Sequence, residues 1–475
     1  MSKTFFFYDL ETSGLSARDD RIMQFAGIRT DMDLNPIGES YNILVRLNDD
    51  TLPSPDALMV TGISPQKTVE EGYTEAQFSK ILMDEIFIED TIAVGFNNIR
   101  FDDEFIRHLF WRNFYDPYAW SWRDGRSRWD MLDVVRMTRA LRPEGISWPV
   151  DKDGKPTNRL ERLTKENGIS HESAHDALSD VEALIDVTKL IKTTQPQLYS
   201  YLLEMRDKKK VQQLVSLDDK KPFVYTSGRY DNEHAKTTVA FPLTAGKNGN
   251  VIVYDLRYDP TLFIDLSPEA LAKKLYASWE ERKDPSFHKL PVKELQYNRA
   301  PAVAPLGVLE QHNGWDALHI DLKTVEKNKL ILLGAPHFAE NIRSIFENRS
   351  EFKKSLNPEA QLYDGFLQDR DSLRVETVRN SDEQALADYH PDFVDERLSP
   401  LLLHYKARNY PKTLAEAEVP EWEAWRASRL NAQLPPFMSA LERLSKNPTP
   451  AQEFLIQEMK LWYEAIMPSS YAADD

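Results

Sequence analysis

Three short clusters of acidic and histidine side chains hold the chemistry open to this 475-residue chain. The first is Asp9 and Glu11, in the run Tyr8-Asp9-Leu10-Glu11-Thr12 that follows the apolar stretch Phe5-Phe6-Phe7. Residues i and i+2 of a strand face the same way. The two carboxylates are therefore held side by side, which is costly unless cations neutralise them. Magnesium, a hard ion, takes oxygen ligands of this kind. The second cluster is Asp102, in Gly95-Phe96-Asn97-Asn98-Ile99-Arg100-Phe101-Asp102, with Asp103 and Glu104 as immediate rivals for any role. The third is His175 and Asp180, in Ala174-His175-Asp176-Ala177-Leu178-Ser179-Asp180. Five residues of helix turn through about 500°, so these two do not share a helical face. His175 is expected at a helix entrance, with Ser173 as a candidate cap and Asp176 as its partner, and Asp180 is expected to project from the second turn. Taken singly, each cluster has an ordinary explanation: a strand end turning polar, a first-turn acid favoured by the helix dipole, a surface histidine near a helix start.

The elements that must position these residues are legible from periodicity. Residues 5–8 form a short apolar run suited to a buried strand, and residues 22–30 and 41–47 read as further strands. Residues 75–86 have helical spacing, residues 91–96 form another buried strand, and a loop and helix follow near Asp102. Ala177, Leu178, Val181, Leu184, Ile185 and Ile191 mark a long amphipathic helix. The alternation predicts a mixed sheet flanked by helices. From about 220 to 310 the chain is strand-like. Residues 238–243 and 250–256 flank Asn248-Gly249, a hairpin signal. Beyond about 355 the pattern is helical, over 360–367, 397–405, 421–430, 438–444 and 451–466.

Composition bounds what these elements can belong to. The chain has no cysteine, so disulfides and thiolate metal sites are excluded. No apolar run approaches the ~18 residues that span a bilayer. The N-terminal apolar strand is too short for a signal-peptide core, and the protein is expected in the cytoplasm. The net charge of −17 argues against generalised binding of nucleic acid, which draws its affinity largely from lysine and arginine. The balance inverts locally: between Arg107 and Arg142 there are eight arginines against four acids, interleaved with aromatic residues. Single strands need a basic track with stacking platforms of this kind. Most of these aromatics must be core, leaving at most three to stack on bases. Lys208, Lys209 and Lys210 are available to extend the track.

The order of the clusters, D-x-E, then N-N-x-x-F-D, then H-x-x-x-x-D, resembles the exonuclease motifs of the DnaQ-like DEDDh superfamily. The segments Asn113-Phe114-Tyr115-Asp116-Pro117-Tyr118-Ala119-Trp120, Ala140-Leu141-Arg142-Pro143-Glu144-Gly145-Ile146 and Tyr405-Lys406-Ala407-Arg408-Asn409-Tyr410-Pro411 look like the bacterial exodeoxyribonuclease I family. That resemblance extends over nearly the whole chain, most strongly over residues 4–192. It departs at Leu10 and Ser13, one or both of which are expected to be aromatic in the family. It implies an α/β ribonuclease H-like exonuclease domain (1–192), an SH3-like β-rich domain with helical insertions (193–352) and an all-α C-terminal domain (353–475). The implied activity is 3′→5′ hydrolysis of single-stranded DNA to 5′-mononucleotides, in DNA repair and recombination.

Two Mg²⁺ ions ~3.5–4 Å apart can clamp the attacking and leaving oxygens of an in-line displacement, with Mn²⁺ a possible substitute. Asp9, Glu11, Asp102 and Asp180 would hold them. His175, with an ordinary pKa near 6.5, can take a proton from the attacking water. By resemblance, Arg107, Tyr118, Trp122, Arg136, Arg142 and Arg159 are the expected strand contacts, with Glu11 also at the substrate. The family further implies a partner, the single-stranded-DNA-binding protein, recognised through its acidic C-terminal tail. An acidic chain needs a local basic pocket with an apolar hollow for such a tail. Arg229, Lys323, Lys327, Lys329 and Arg343 are available between residues 220 and 355, and which of them converge stays open. The protein is expected to act as a monomer. Two rivals remain: an RNA-trimming or proofreading exonuclease on the same fold, and a non-catalytic nucleic-acid-binding scaffold.

Overall fold

A computed structural model describes residues 3–171, 176–349 and 354–468. The chain forms two compact units. One contains residues 1–127, 171–185 and 353–475, and the other contains 128–170 and 186–352.

The first unit is built on a five-stranded sheet of order β3-β2-β1-β4-β5. Its strands are β1 (Thr4–Thr12), β2 (Ile22–Thr30), β3 (Tyr41–Leu44), β4 (Thr91–Gly95) and β5 (Ser127–Asp130), through which the chain passes to the second unit. β1 pairs antiparallel with β2 and parallel with β4. A central strand covered on both faces reads as a near-continuous apolar run, and Phe5, Phe6 and Phe7 are all fully buried. Phe6, Tyr8 and Leu10 enter one core cluster with Phe25, Phe78 and Phe105. Alternation then places Asp9 and Glu11 together on the opposite face. The strand does not end before these acids, as the apolar run suggests. The β2 ladder continues beside them, pairing Asp9 with Ala26 and Glu11 with Gln24, and its register breaks only between Glu11 and Thr12.

β4 leads through a tight turn into the helix Asp102–Arg112. Asn97 adopts a left-handed conformation there (φ 70°). A Cβ on Gly95 would meet the Asn98 side chain at 2.5 Å, so the turn closes only on glycine. The helix Ala177–Thr194 carries Asp180 in its first turn, not the second. His175 and its candidate cap Ser173 lie outside the described residues.

The C-terminal helices pack in the same unit as this sheet. Met23, Leu47 and Leu58 share a core cluster with Leu430, Phe437, Leu441, Met459 and Trp462. The separate helices expected over 421–430 and 438–444 are one helix, Glu418–Leu444, with Pro435 and Pro436 inside it. Proline costs about 3 kcal/mol in a helix interior. Leu430 on one side of the prolines and Phe437 and Leu441 on the other are buried in that cluster, and this burial keeps the two halves in register. The helix expected over 360–367 is a 3₁₀ segment, Pro358–Tyr363. It contributes the fully buried Glu359, whose carboxylate lies 2.7 Å from Arg21 of the sheet domain.

The second unit holds an antiparallel sheet of order β10-β6-β7-β8-β9. It comprises β6 (Phe223–Thr226), β7 (Thr237–Ala245), β8 (Val251–Asp255), β9 (Val292–Leu295) and β10 (Ala302–Pro305). The β7–β8 hairpin turns at Asn248 (φ 55°) and Gly249 (φ 74°), the two residues whose tolerance of left-handed backbone marked the turn in the sequence. Phe223, Ala240, Val251, Val253, Leu295 and Val303 pack in its core. Among the described residues no helix is long and apolar enough to cross a membrane.

Candidate active site

β1 and the helix Ala177–Thr194 bring three carboxylates together. Ligand atoms of Asp9, Glu11 and Asp180 all lie within 4.8 Å of one another. Glu11 is buried, and Asp9 and Asp180 are half-buried. Asp102, the first residue of its helix and 4% exposed, acts on the same site electrostatically. Asp9 is held well above the ordinary carboxylate range, first by burial and then by Asp102, Glu11 and Asp180. Glu11 is pushed up to about 8 by burial, then by Asp180, Asp102 and Asp176. Acids gathered so tightly either retain protons or take up cations. Oxygen ligands alone, without sulfur, suit a hard divalent ion, and the donor set fits one.

A layer of polar residues behind the carboxylates fixes their supports. The Tyr8 hydroxyl, next in chain to Asp9, donates to Asp103 Oδ1 at 2.5 Å. Asn98 Nδ2 donates to the same oxygen at 3.2 Å. Asp103 is fully buried and adjoins Asp102, so this bond ties the strand bearing Asp9 to the helix start bearing Asp102. Of the two neighbouring acids, Asp103 accepts from Tyr8 and Asn98, whereas Asp102 acts on Asp9 and Glu11. On the other side, His171 Nε2 lies 2.5 Å from Asp180 Oδ1. The sequence reading passed over His171, whose only signal was its place four residues before His175.

The expected strand contacts divide between the units. Arg107 and Tyr118, in the first, come together with the guanidinium 5.5 Å from the ring centre. Arg107 also holds Glu104 at 2.7 Å. Trp122 is 62% exposed, whereas Phe110, Trp111, Phe114, Trp120 and Trp129 are buried. The aromatic run is thus mostly core, as its density requires. Arg136, Arg142 and Arg159 belong to the second unit. Arg136 pairs with Asp133 at 2.7 Å, Arg142 donates to Gln311 at 2.8 Å, and Arg159 is largely exposed, 3.7 Å from Glu161. Several other arginines of this region are structural: Arg112 forks onto Glu75 (2.7 and 3.2 Å), and Arg139 donates to the Thr157 and Pro149 carbonyls. The lysine run at 208–210 starts a helix capped by Asp207, with Lys210 paired to Glu204.

A mixed sheet whose central strand carries two acids, joined by acids at two helix starts, defines an exonuclease domain, and a family model described as "Exonuclease" matches residues 6–188. Two further models match the remainder: "Exonuclease I SH3-like domain" over 206–348 and "Exonuclease I C-terminal domain" over 356–466. The chain belongs to the exodeoxyribonuclease I family. It is 39% identical over 443 residues to the exodeoxyribonuclease I of Haemophilus influenzae, covering 93% of each chain. It matches Escherichia coli exonuclease I in complex with a dA16 oligonucleotide at TM-score 0.93 and 38% identity, covering 98% of this chain and all of that one. A zinc-bound form of the E. coli exonuclease I–single-stranded DNA complex matches at TM-score 0.93 and 37% identity, with the same coverage. A complex of SSB and exonuclease I with the inhibitor CFAM matches at TM-score 0.89 and 36% identity, again covering 98% and all of the two chains.

Proposed function

We propose that this chain degrades single-stranded DNA from its 3′ end by two-metal-ion hydrolysis, releasing 5′-mononucleotides, with Asp9, Glu11, Asp102 and Asp180 as the ligands of two Mg²⁺ ions. The chain is a 3′→5′ exonuclease of single-stranded DNA by family. The observation that carries the metal reading is the convergence of three carboxylates within 4.8 Å. When bound, the two ions neutralise those carboxylates and the charge that develops on the phosphoryl oxygens. The residues do the rest. Glu11 reaches both metal and substrate. His171 and the Tyr8–Asp103 pair hold the carboxylates in orientation. His175 accepts the proton of the attacking water, an assignment resting on motif spacing because the residue lies outside the described ones. Arg107, Arg136, Arg142 and Arg159 take backbone phosphates, and Tyr118 and Trp122 take bases.

The chain works as a monomer in the cytoplasm, in DNA repair and recombination, with domains over 1–192, 193–352 and 353–475. It binds the single-stranded-DNA-binding protein through that partner's acidic C-terminal tail. Of the basic residues available for the tail, Lys327 is paired with Asp259 (3.2 Å) and Arg343 with Glu347 (2.7 Å), which leaves Arg229, Lys323 and Lys329 the better candidates. Labelled tail peptide, with and without its last residue, is the probe. Binding should weaken as salt rises, and binding indifferent to loss of that residue removes the tail from this reading. Degradation of labelled single-stranded DNA, RNA and duplex, with and without Mg²⁺, tests the activity. Rapid loss of single-stranded DNA alone, only with the metal, is expected, and preference for RNA or indifference to the metal overturns the proposal.

A further inference from the structure

Sheet pairing stops holding the backbone at Glu11. The register of β1 on β2 breaks between Glu11 and Thr12, and residues 13–21 leave the sheet as a loop directly after this carboxylate. Glu11 is crowded by Asp180 and Asp102. Repulsion among like charges favours its withdrawal from the cluster unless the backbone that carries it is fixed.

The loop is closed at its base by Ser13 and Arg21. The Ser13 amide donates to the Arg21 carbonyl at 2.8 Å, and the Arg21 amide donates to Ser13 Oγ at 2.9 Å. The Asp20 carboxylate accepts from the Ser16 amide at 2.8 Å. Gly14 lies so close to it that a Cβ would meet Asp20 Oδ2 at 2.4 Å.

The groups that fix this loop come from 338 and 410 residues further along the chain. Arg21, fully buried, donates through Nη1 to the Asp19 and Asp20 carbonyls, both at 3.3 Å, and through Nη2 to Glu359 Oε2 at 2.7 Å. The other oxygen of Glu359 lies 2.8 Å from His404 Nδ1 and is paired with Arg408, both on the helix Leu398–Asn409. Arg429, on the helix Glu418–Leu444, donates to the Asp19 carbonyl through Nη2 and to the Asp50 carbonyl through Nε. Glu359 and Arg429 thus reach Asp19 and Asp20 by separate routes. Asp20 passes the hold to Ser13 and Gly14, the second and third residues after Glu11. A buried ion pair adds little stability over well-packed apolar side chains, and its best-attested use is to fix one arrangement.

We propose that Glu359 and Arg429 are positioning residues for the reaction: they clamp the loop 13–21 and so keep Glu11 in place on the metal ions. The proposal rests on the reading of Glu11 as a ligand.

The test uses the full chain and two readouts that do not depend on turnover. One is Mg²⁺ binding by calorimetry. The other is loop mobility, from the electron paramagnetic resonance spectrum of a nitroxide on Leu15→Cys. Leu15 is 86% exposed and the chain has no cysteine, so the label attaches there alone. Glu359→Gln and Arg429→Met should each sharpen the nitroxide spectrum and weaken Mg²⁺ binding about tenfold, the lower end of what supporting residues around a metal site contribute. Hydrolysis of single-stranded DNA should fall with them and recover as Mg²⁺ is raised. Met459→Ala, which removes apolar packing from the C-terminal helices, should change neither readout. An effect of Met459→Ala equal to that of Arg429→Met reduces the clamp to general stability and overturns the proposal, and so does an unaltered nitroxide spectrum in both clamp variants. If Glu359→Gln fails to fold, Arg429→Met, a half-buried side chain, decides by itself. Glu11→Gln separates the clamp from the reading beneath it. If it weakens Mg²⁺ binding while the clamp variants bind the ion as the wild type does, the clamp inference falls and Glu11 remains a ligand. If Glu11→Gln leaves Mg²⁺ binding unchanged, the ligand reading falls, and the nitroxide alone decides whether the loop is clamped.

Discussion

Burial first, and then repulsion among Asp9, Glu11, Asp102 and Asp180, raises the proton affinity of Asp9 and Glu11. Removing one acid therefore relieves strain in the metal-free protein while destroying a metal site. Asp9→Ala or Asp180→Ala should abolish cleavage in Mg²⁺ with the fold intact, and single-stranded DNA should bind as well or better, because negative charge has been removed. Turnover close to wild type in either variant would sink the ligand assignment. His175→Ala should lower kcat by roughly 10²–10⁴-fold, the usual contribution of general base catalysis, with metal affinity retained by titration. A loss confined to KM would make His175 a binding residue and place the base elsewhere. His171, within hydrogen-bonding distance of Asp180, is the neighbour to examine in that event.

At the level of elements, the site depends on how strand β1 is fastened to the helix Asp102–Arg112. The Tyr8 hydroxyl and Asp103 make that fastening in a fully buried setting. Tyr8→Phe keeps the ring packing against Phe25 and Phe87 and deletes only the donor. Asn98 still donates to Asp103 Oδ1 in that variant, so the change removes one buried hydrogen bond to a carboxylate, which costs about 1.5–3 kcal/mol. Urea unfolding should register a loss of that size, and an unchanged midpoint would show that the bond does not hold the two elements together. The helix Pro450–Ile466 is held to the first unit by apolar burial instead. Met459, fully buried among Met23, Leu430 and Trp462, should cost about 2–5 kcal/mol on change to alanine.

Across the whole of the first unit, buried charges join segments far apart in sequence. Arg21 and Arg408 meet Glu359 and Asp50, and Arg112 meets Glu75. The arginines hold Asp50, Glu75 and Glu359 below the ordinary carboxylate range despite burial. His108 sits beside this network with its pKa lowered to about 3, by burial first and then by Arg112. A histidine depressed in the folded state favours folding fully above its unfolded pKa near 6.5. That contribution is lost as pH falls from there towards 3. The carboxylates follow below about pH 4.5, where the unfolded chain takes up protons that the folded cluster refuses. His108 should therefore begin to weaken the protein at a higher pH than the arginine-paired Asp50, Glu75 and Glu359 do. His108 alone accounts for about 2 kcal/mol between pH 7 and pH 5. Asp9 and Glu11, with raised pKa values, act in the opposite direction over this range, so chemical unfolding at those two pH values should show the His108 share as a difference, with the change in stability on acidification about 2 kcal/mol less favourable in the wild type than in His108→Gln. An equal change in both proteins would assign the acid limb to other groups.

The sequence by itself determined the elements and the order of the acidic clusters, because periodicity, turn chemistry and motif spacing are local. The strand at 22–30 and the hairpin at Asn248-Gly249 need no distant contact to be read. Convergence was a different matter. That Asp180 stands within 4.8 Å of Asp9 and Glu11 follows from packing a helix against a strand about 170 residues earlier in the chain, which spacing does not encode. Tertiary burial also decided what local rules misjudged. The β2 ladder carried β1 past its apolar run, and burial of Leu430, Phe437 and Leu441 carried a helix across Pro435 and Pro436. Likewise Trp120, indistinguishable by type from Trp122, was assigned to the interior only by the partners that folding gave it. Long-range packing free energy, summed over many atoms, exceeds the few kcal/mol of any single local preference.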